Sequence, residues 1–124
     1  MNDKKPPVLV IISDHEKGKT FQLTKNVHFC GRALNNDIQI DDISVSSVHC
    51  KFVLTGAGSY MAIDLDSTNG ILLGGKVLPY VELKNGDIFK LGNTQFLYSD
   101  EPSTVGIIEN TYVDTYFVKN KEKS

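Results

Sequence analysis

Cys50-Lys51-Phe52-Val53-Leu54-Thr55 alternates along the chain, with Cys50, Phe52 and Leu54 on one face. Gly56-Ala57-Gly58 breaks the run, and Tyr60-Met61-Ala62-Ile63-Asp64 follows. Short runs of alternating apolar residues on either side of a glycine-rich break read as two half-buried strands joined by a turn. The same grammar extends in both directions. Upstream lie apolar runs at 8–13, 19–23, 27–30 and 38–40. Downstream lie 71–73, 76–78, 80–83, 88–91 and 94–98. Turn signals separate them, among them Asn35-Asn36-Asp37, Gly74-Gly75, Asn85-Gly86-Asp87 and Gly92-Asn93. Gly-Gly and Asn-Gly steps supply the positive φ that tight hairpins need. No long window repeats apolar residues at i, i+3, i+4 and i+7, so helix is expected to be almost absent. Eleven short strands in one small domain predict an all-β fold, a β-sandwich of two twisted, antiparallel-dominated sheets.

Composition sets the outer limits. The chain has 124 residues, enough for one domain with its own core. Thirteen Lys plus Arg against fifteen Asp plus Glu leave a net charge of −2. A general nucleic-acid binder needs a basic excess to neutralise phosphates, so that class is disfavoured. The longest apolar run, Val8-Leu9-Val10-Ile11-Ile12, is too short for a membrane span or a signal-peptide core, and the chain reads as cytoplasmic. Cys30 and Cys50 are isolated and read as small buried core residues. Of the thirteen basic residues only Arg32 is arginine.

The ends differ from the middle. Residues 1–7 read as a flexible N-terminus, residues 8–100 as the folded domain, and residues 101–124 as a C-terminal extension, partly disordered or packed as an arm. The extension begins with Pro102 and ends in the charged run Lys119-Asn120-Lys121-Glu122-Lys123. Within it, Tyr112, Tyr116 and Phe117 are candidates to pack on the domain or on a second molecule.

Several chemistries fail on their spacing. Asp64-Leu65-Asp66-Ser67-Thr68-Asn69-Gly70 begins like a calcium loop, but its sixth position is Asn69 and its twelfth is Gly75, where glycine and glutamate are needed. No glycine fingerprint for nucleotides is complete. Ser46, His49 and Asp64 are the residue types of a hydrolytic triad, yet no Gly-x-Ser-x-Gly elbow is present. No catalytic residue, metal ligand or cofactor is assigned, and the chain is not read as an enzyme.

Three pieces remain that could meet an anion: Gly31-Arg32 after a strand, Ser44-Val45-Ser46-Ser47-Val48-His49 entering one, and Ser67-Thr68-Asn69-Gly70 between two. In a sandwich, loops cluster at the ends and can converge. One guanidinium, several hydroxyls and a carboxamide suit a phosphate, because arginine offers a planar fork of donors that stays charged.

These residues resemble a forkhead-associated (FHA) domain. The matching pieces are Gly31-Arg32, Asn36-Asp37-Ile38, Val45-Ser46-x-x-His49, Asp64-x-x-Ser67-Thr68-Asn69-Gly70 and Leu83-x-x-Gly86-Asp87-x-x-x-Leu91-Gly92, in the family's order and spacing. The resemblance implies an eleven-stranded sandwich of SMAD/FHA-like type that binds phosphothreonine peptides through the loops at one end. The partner would be a phosphothreonine-containing protein, such as a Ser/Thr kinase or its substrate, with no nucleic acid and no membrane. By motif, Arg32 would contact the phosphopeptide and its phosphate, and Ser46 would hydrogen-bond the phosphate. Thr68 would stand beside it, and Asn69 would hold the peptide backbone. Ser47 occupies a position that often carries Arg or Asn in similar domains. Gly31, His49 and Gly70 would be structural. Gly74-Gly75 replaces the usual Asn-Gly. The alternative is a degenerate FHA domain with a phospho-independent scaffolding role, suggested by Ser47. Thr104, Thr111 and Thr115 in the extension are candidate modified residues through which the arm could fold back or engage another copy.

Overall fold

The structure, a computed structural model, describes residues 5–100. Eleven strands occur among them: β1 Val8–Ile11, β2 Thr20–Gln22, β3 Val27–Gly31, β4 Ile38–Gln39, β5 Cys50–Leu54, β6 Tyr60–Asp64, β7 Ile71–Leu73, β8 Lys76–Leu78, β9 Tyr80–Glu82, β10 Ile88–Leu91 and β11 Thr94–Ser99. A single 3-10 turn at Asp14–Glu16 is the helical content of the described residues. The expected extension at 101–124 and the start of the expected flexible N-terminus lie outside the described residues.

The strands form two sheets, in the order β2-β1-β11-β10-β7-β8 and β4-β3-β5-β6-β9. Every pairing is antiparallel except β3 with β4. Alternation then dictates the core. Leu9 and Ile11 of β1, Phe96 and Tyr98 of β11, and Phe89 and Leu91 of β10 face Cys30, Cys50, Phe52, Tyr60 and Ala62 of the second sheet. Phe89 stacks on Phe96 at 5.2 Å and meets Phe52 at 6.0 Å. Each such buried ring contributes about 1.5–3 kcal/mol relative to exposure.

Two details differ from the sequence expectation. Leu54, expected on the core face with Cys50 and Phe52, is 40% exposed. It is the last residue of β5 before the turn, outside the core cluster. His28, to which the sequence assigns no role, is buried. Its Nε2 accepts the Lys25 N–H at 3.0 Å, and its ring meets Tyr60 edge-on at 5.9 Å. Burial holds its pKa below the ordinary value, although Asp37 pulls the other way. Cys30 and Cys50 sit opposite one another on β3 and β5, free and fully buried, as core residues. Burial raises the Cys50 thiol, with Cys30 beside it.

Gly74 and Gly75 both take positive φ, 62° and 80°, which is the backbone of a two-residue hairpin turn between β7 and β8. The replacement of Asn-Gly therefore leaves the turn intact.

Tyr60 ties the N-terminal connection to the core. Its buried hydroxyl lies 3.1 Å from the Leu23 carbonyl and 2.7 Å from that of Lys25, and it donates to this pair. Tyr60→Phe is expected to lower stability by about 1–2 kcal/mol, because the carbonyls lose their donor while the ring still packs. Urea unfolding of the two proteins measures it, and equal midpoints would count against this role.

Candidate functional site

Three connections meet at one end of the sandwich: residues 32–37, 40–49 and 65–70. Their positions follow from a few close approaches. Gly31 is fully packed against the second connection. A Cβ there would sit 2.3 Å from the Ser47 carbonyl oxygen, so only glycine lets the two backbones touch. Its φ is not positive, so the demand is for space and not for backbone freedom. The contact is sealed by Arg32 N–H donating to the Ser46 carbonyl at 3.0 Å and Ala33 N–H to that of Ser47 at 3.1 Å. Asn36 adds its side-chain amide to the carbonyls of Ala33 and Ser47, at 2.9 and 2.7 Å. Asp37 accepts the Phe29 N–H at 2.8 Å and pairs with Lys25. The Lys25 contact first, and the Phe29 N–H second, hold its carboxyl below the usual range.

His49 joins the second connection to the third. It is fully buried. Its Nδ1 accepts the Ser46 N–H at 3.1 Å, so Nε2 carries the proton and donates to the Gly70 carbonyl at 2.8 Å. Gly70 has φ 74°, and a Cβ would meet Val77 at 2.5 Å. The Ser67 hydroxyl donates to Asp64 and accepts the Gly70 N–H, which closes the third loop on itself. The Thr68 N–H donates to Ser46 Oγ at 3.0 Å, and Asn69 Nδ2 donates to the Ser44 carbonyl at 2.9 Å.

The result is a cleft of about 320 Å³ whose lining contains Arg32, Ser46, Ser47, Thr68 and Asn69, together with Ile43, Ser44 and Val45. The structure brings all five sequence-derived binding residues together. Gly31, His49 and Gly70 stand behind them. Arg32 Nε donates to the Val45 carbonyl at 3.0 Å, and Nη2 lies 3.5 Å from Ser47 Oγ. A second cleft of about 360 Å³ lies on the far side of Ile43, lined by Asp14, Glu16, Asp41 and Asp42 among others. Its charge is the wrong sign for a phosphate. No group of three or more His, Cys, Asp or Glu that could hold a metal ion occurs among the described residues. No helix among them is long and apolar enough to cross a membrane.

Residues 28–92, more than half of the chain, match the family model for the FHA domain. The chain belongs to the FHA domain family. This FHA domain chain is 29% identical over 97 residues to the glycogen accumulation regulator GarA of Mycolicibacterium smegmatis, covering 78% of this chain and 61% of GarA. It is 29% identical over 91 residues to the oxoglutarate dehydrogenase inhibitor of Corynebacterium jeikeium, covering 73% of this chain and 62% of that protein. It thus spans less than two-thirds of the length of these curated relatives. Among solved structures it resembles Mycobacterium tuberculosis EmbR in complex with a low-affinity phosphopeptide, with a TM-score of 0.68 and 26% identity over 77% of this chain and 24% of EmbR.

The FHA cleft also depends on residues to which the sequence reading gives no role. Asp42 is the first. Its carboxylate accepts from the hydroxyl and N–H of Ser44, from the Thr94 hydroxyl and from the Asn93 N–H. It thereby pins the second connection to the β10–β11 turn. Ser44 in turn accepts the Asn93 N–H at 2.9 Å, against Gly92, where a Cβ would lie 2.5 Å from Ser44 Oγ. The Asp42-x-Ser44 spacing is a local side-chain turn signal, but its long-range partners are invisible in sequence. Burial alone would raise the Asp42 carboxyl. The hydrogen bonds from Ser44, Thr94 and Asn93 outweigh it and hold the carboxyl below its ordinary value.

The sign of the pH effect follows. A carboxyl depressed by folding contributes stability that is present above its unfolded pKa and is lost as pH falls through its folded one. Asp42→Asn is expected to cost about 1–2 kcal/mol at neutral pH, since the amide nitrogen cannot accept. The gap between variant and wild type should narrow as pH drops below the ordinary carboxylate range. Urea unfolding at neutral and acid pH checks this, and a gap unchanged by pH would contradict it.

Proposed function

We propose that this FHA chain reads phosphothreonine in a partner protein, as a binding module that does no catalysis. The observation that carries the reading is the cleft itself. Arg32, Ser46, Ser47, Thr68 and Asn69 come from three separate connections and line one hollow. Each has a free capacity that suits a phosphate. Arg32 has Nε engaged by the Val45 carbonyl, which orients the guanidinium plane and leaves its terminal amino groups for the anion. Ser46 Oγ already accepts the Thr68 N–H, so its own proton is the one to donate outward. The Asn69 amide has one N–H on the Ser44 carbonyl, and its other donor and its oxygen suit a peptide backbone. A phosphothreonine brings about −1.5 to −2 charge and three acceptor oxygens to this set. EmbR, 26% identical, has been solved with a phosphopeptide, which supports the same class of ligand here. The regulator and inhibitor names of the curated relatives fit a regulatory role, and the role proposed for this chain is in cytoplasmic Ser/Thr kinase signalling.

Affinity around micromolar, about −8 kcal/mol, is expected. Arg32→Ala should weaken phosphopeptide binding by about 1.5–3 kcal/mol and leave the fold unchanged, because Arg32 is exposed and the chain has no second arginine. Arg32→Lys should restore binding only in part, since an ammonium cannot reproduce the fork. Calorimetry with a phosphothreonine peptide library and its unphosphorylated twin tests the reading. Normal binding by the Ala variant would sink the site.

The second reading is a degenerate FHA domain that scaffolds without phosphate. It is favoured by Ser47, which offers only a hydroxyl at 3.5 Å from Arg32 Nη2. The two readings differ in one further outcome. A phosphate reader should bind a glutamate-substituted peptide poorly, because a carboxylate has a single charge and two oxygens. Equal affinity for the phosphorylated, glutamate and unmodified peptides would favour the scaffold.

A further inference from the structure

The five-stranded sheet turns an apolar face outward. Alternation sends Cys30, Phe52 and Ala62 into the core, where all three are fully buried. The residues between them point the other way, and the register joins them in two rows across β3, β5, β6 and β9. One row is Phe29, Lys51, Ile63 and Tyr80. The other is Val27, Val53, Met61 and Glu82. Six of these eight are apolar, and none of the eight is buried. Phe29 is 42% exposed and Tyr80 is 61% exposed. An antiparallel sheet with one face to water usually places polar residues there. A contiguous apolar block on the surface instead marks a place where another surface docks.

We propose that a second copy of the chain docks on this face, in a pair related by two-fold symmetry. The charges on the face name the occupant. Lys51 on β5 and Glu82 on β9 are the two charged residues of the eight. No carboxylate among the described residues pairs with Lys51. Glu82 accepts the Ser59 hydroxyl on one oxygen, at 3.2 Å, and has the other to offer. The two charges lie on either side of β6 and in different rows. The line joining them therefore crosses β6 between Met61 and Ile63, near the middle of the face. A two-fold axis through that point sets Lys51 of each copy against Glu82 of the other. A two-fold interface uses the same patch on both copies and must complement itself. This patch does so, with one cation and one anion placed evenly about an apolar centre. An ammonium covered by an apolar surface needs an anion opposite, and the second copy brings one to the matching position. Eight side chains fall short of the about 20–30 residues per partner of a standard interface, so the pair is a weak one. The Arg32 cleft is built from connections at the strand ends, so pairing through the face leaves it open.

The inference does not rest on phosphopeptide binding, and its test needs no ligand. Sedimentation equilibrium of the full chain, from about 10 µM to about 1 mM, should show a reversible monomer–dimer equilibrium with a dissociation constant of about 100 µM. Lys51→Glu and Glu82→Lys should each weaken association at least about tenfold, because each change sets like charges together at both contacts. Both side chains point out of the sheet, so neither change touches the core. An equal mixture of the two variants should associate to within about threefold of wild type, since every contact then joins opposite charges. A wild-type chain that stays monomeric throughout the range would overturn the proposal. So would single variants that associate as wild type does, or a mixture that associates no better than either variant alone.

Discussion

His49 is the link on which the binding end depends. A buried imidazole stands between two loops and offers one nitrogen to each, accepting from Ser46 and donating to Gly70. Only a ring with a donor and an acceptor about two bonds apart can do both at once. That division fixes the tautomer, and with it the spacing between the second and third connections. Ser46 and Thr68 are then close enough for the Thr68 N–H to reach Ser46 Oγ. The hydroxyl that would donate to a phosphate is held by the same bridge that holds the loops. No proton transfer is asked of the histidine. Its work is geometric.

Around that bridge the site is built from contacts that leave no spare room. Gly31 lets the backbone at 46–47 press against β3, and Gly92 lets Ser44 press against the β10–β11 turn. Asn36 and Asp42 then supply the hydrogen bonds that a glycine cannot. The polar groups of the cleft thus have partners on their inner sides and unused capacity on their outer sides. Such preorganisation matters for a modest ligand, because loops already ordered cost less entropy on binding.

Much of this was legible in the residues. The eleven runs of alternating or β-branched residues match the eleven strands, because turn chemistry and period-two alternation are local properties. Gly74-Gly75 forms the hairpin its residue types demand. The five candidate binding residues could be singled out by the resemblance to the FHA motif, because a guanidinium, hydroxyls and a carboxamide by themselves suggest only an anion. Asp42 was not legible as a support. Its four donors include Asn93 and Thr94, about fifty positions away, and no local pattern announces such a meeting. His28 was missed for a similar reason: a lone histidine on a short strand becomes meaningful only once Tyr60 is known to lie against it. Leu54 was misread because alternation assigns a face but not the point where the core stops.

By itself, then, the sequence determined the class of fold and the number of strands, since these depend on side-chain type and short-range spacing. It also determined that a single arginine would carry whatever guanidinium chemistry the chain performs. Only the tertiary structure decided that three connections share one cleft, and that Gly31 is required for space and not for its φ. The physical reason is the same in each case. Strand formation is a negotiation between neighbours in the chain, whereas packing and long-range hydrogen bonds are set by which strands become neighbours in space.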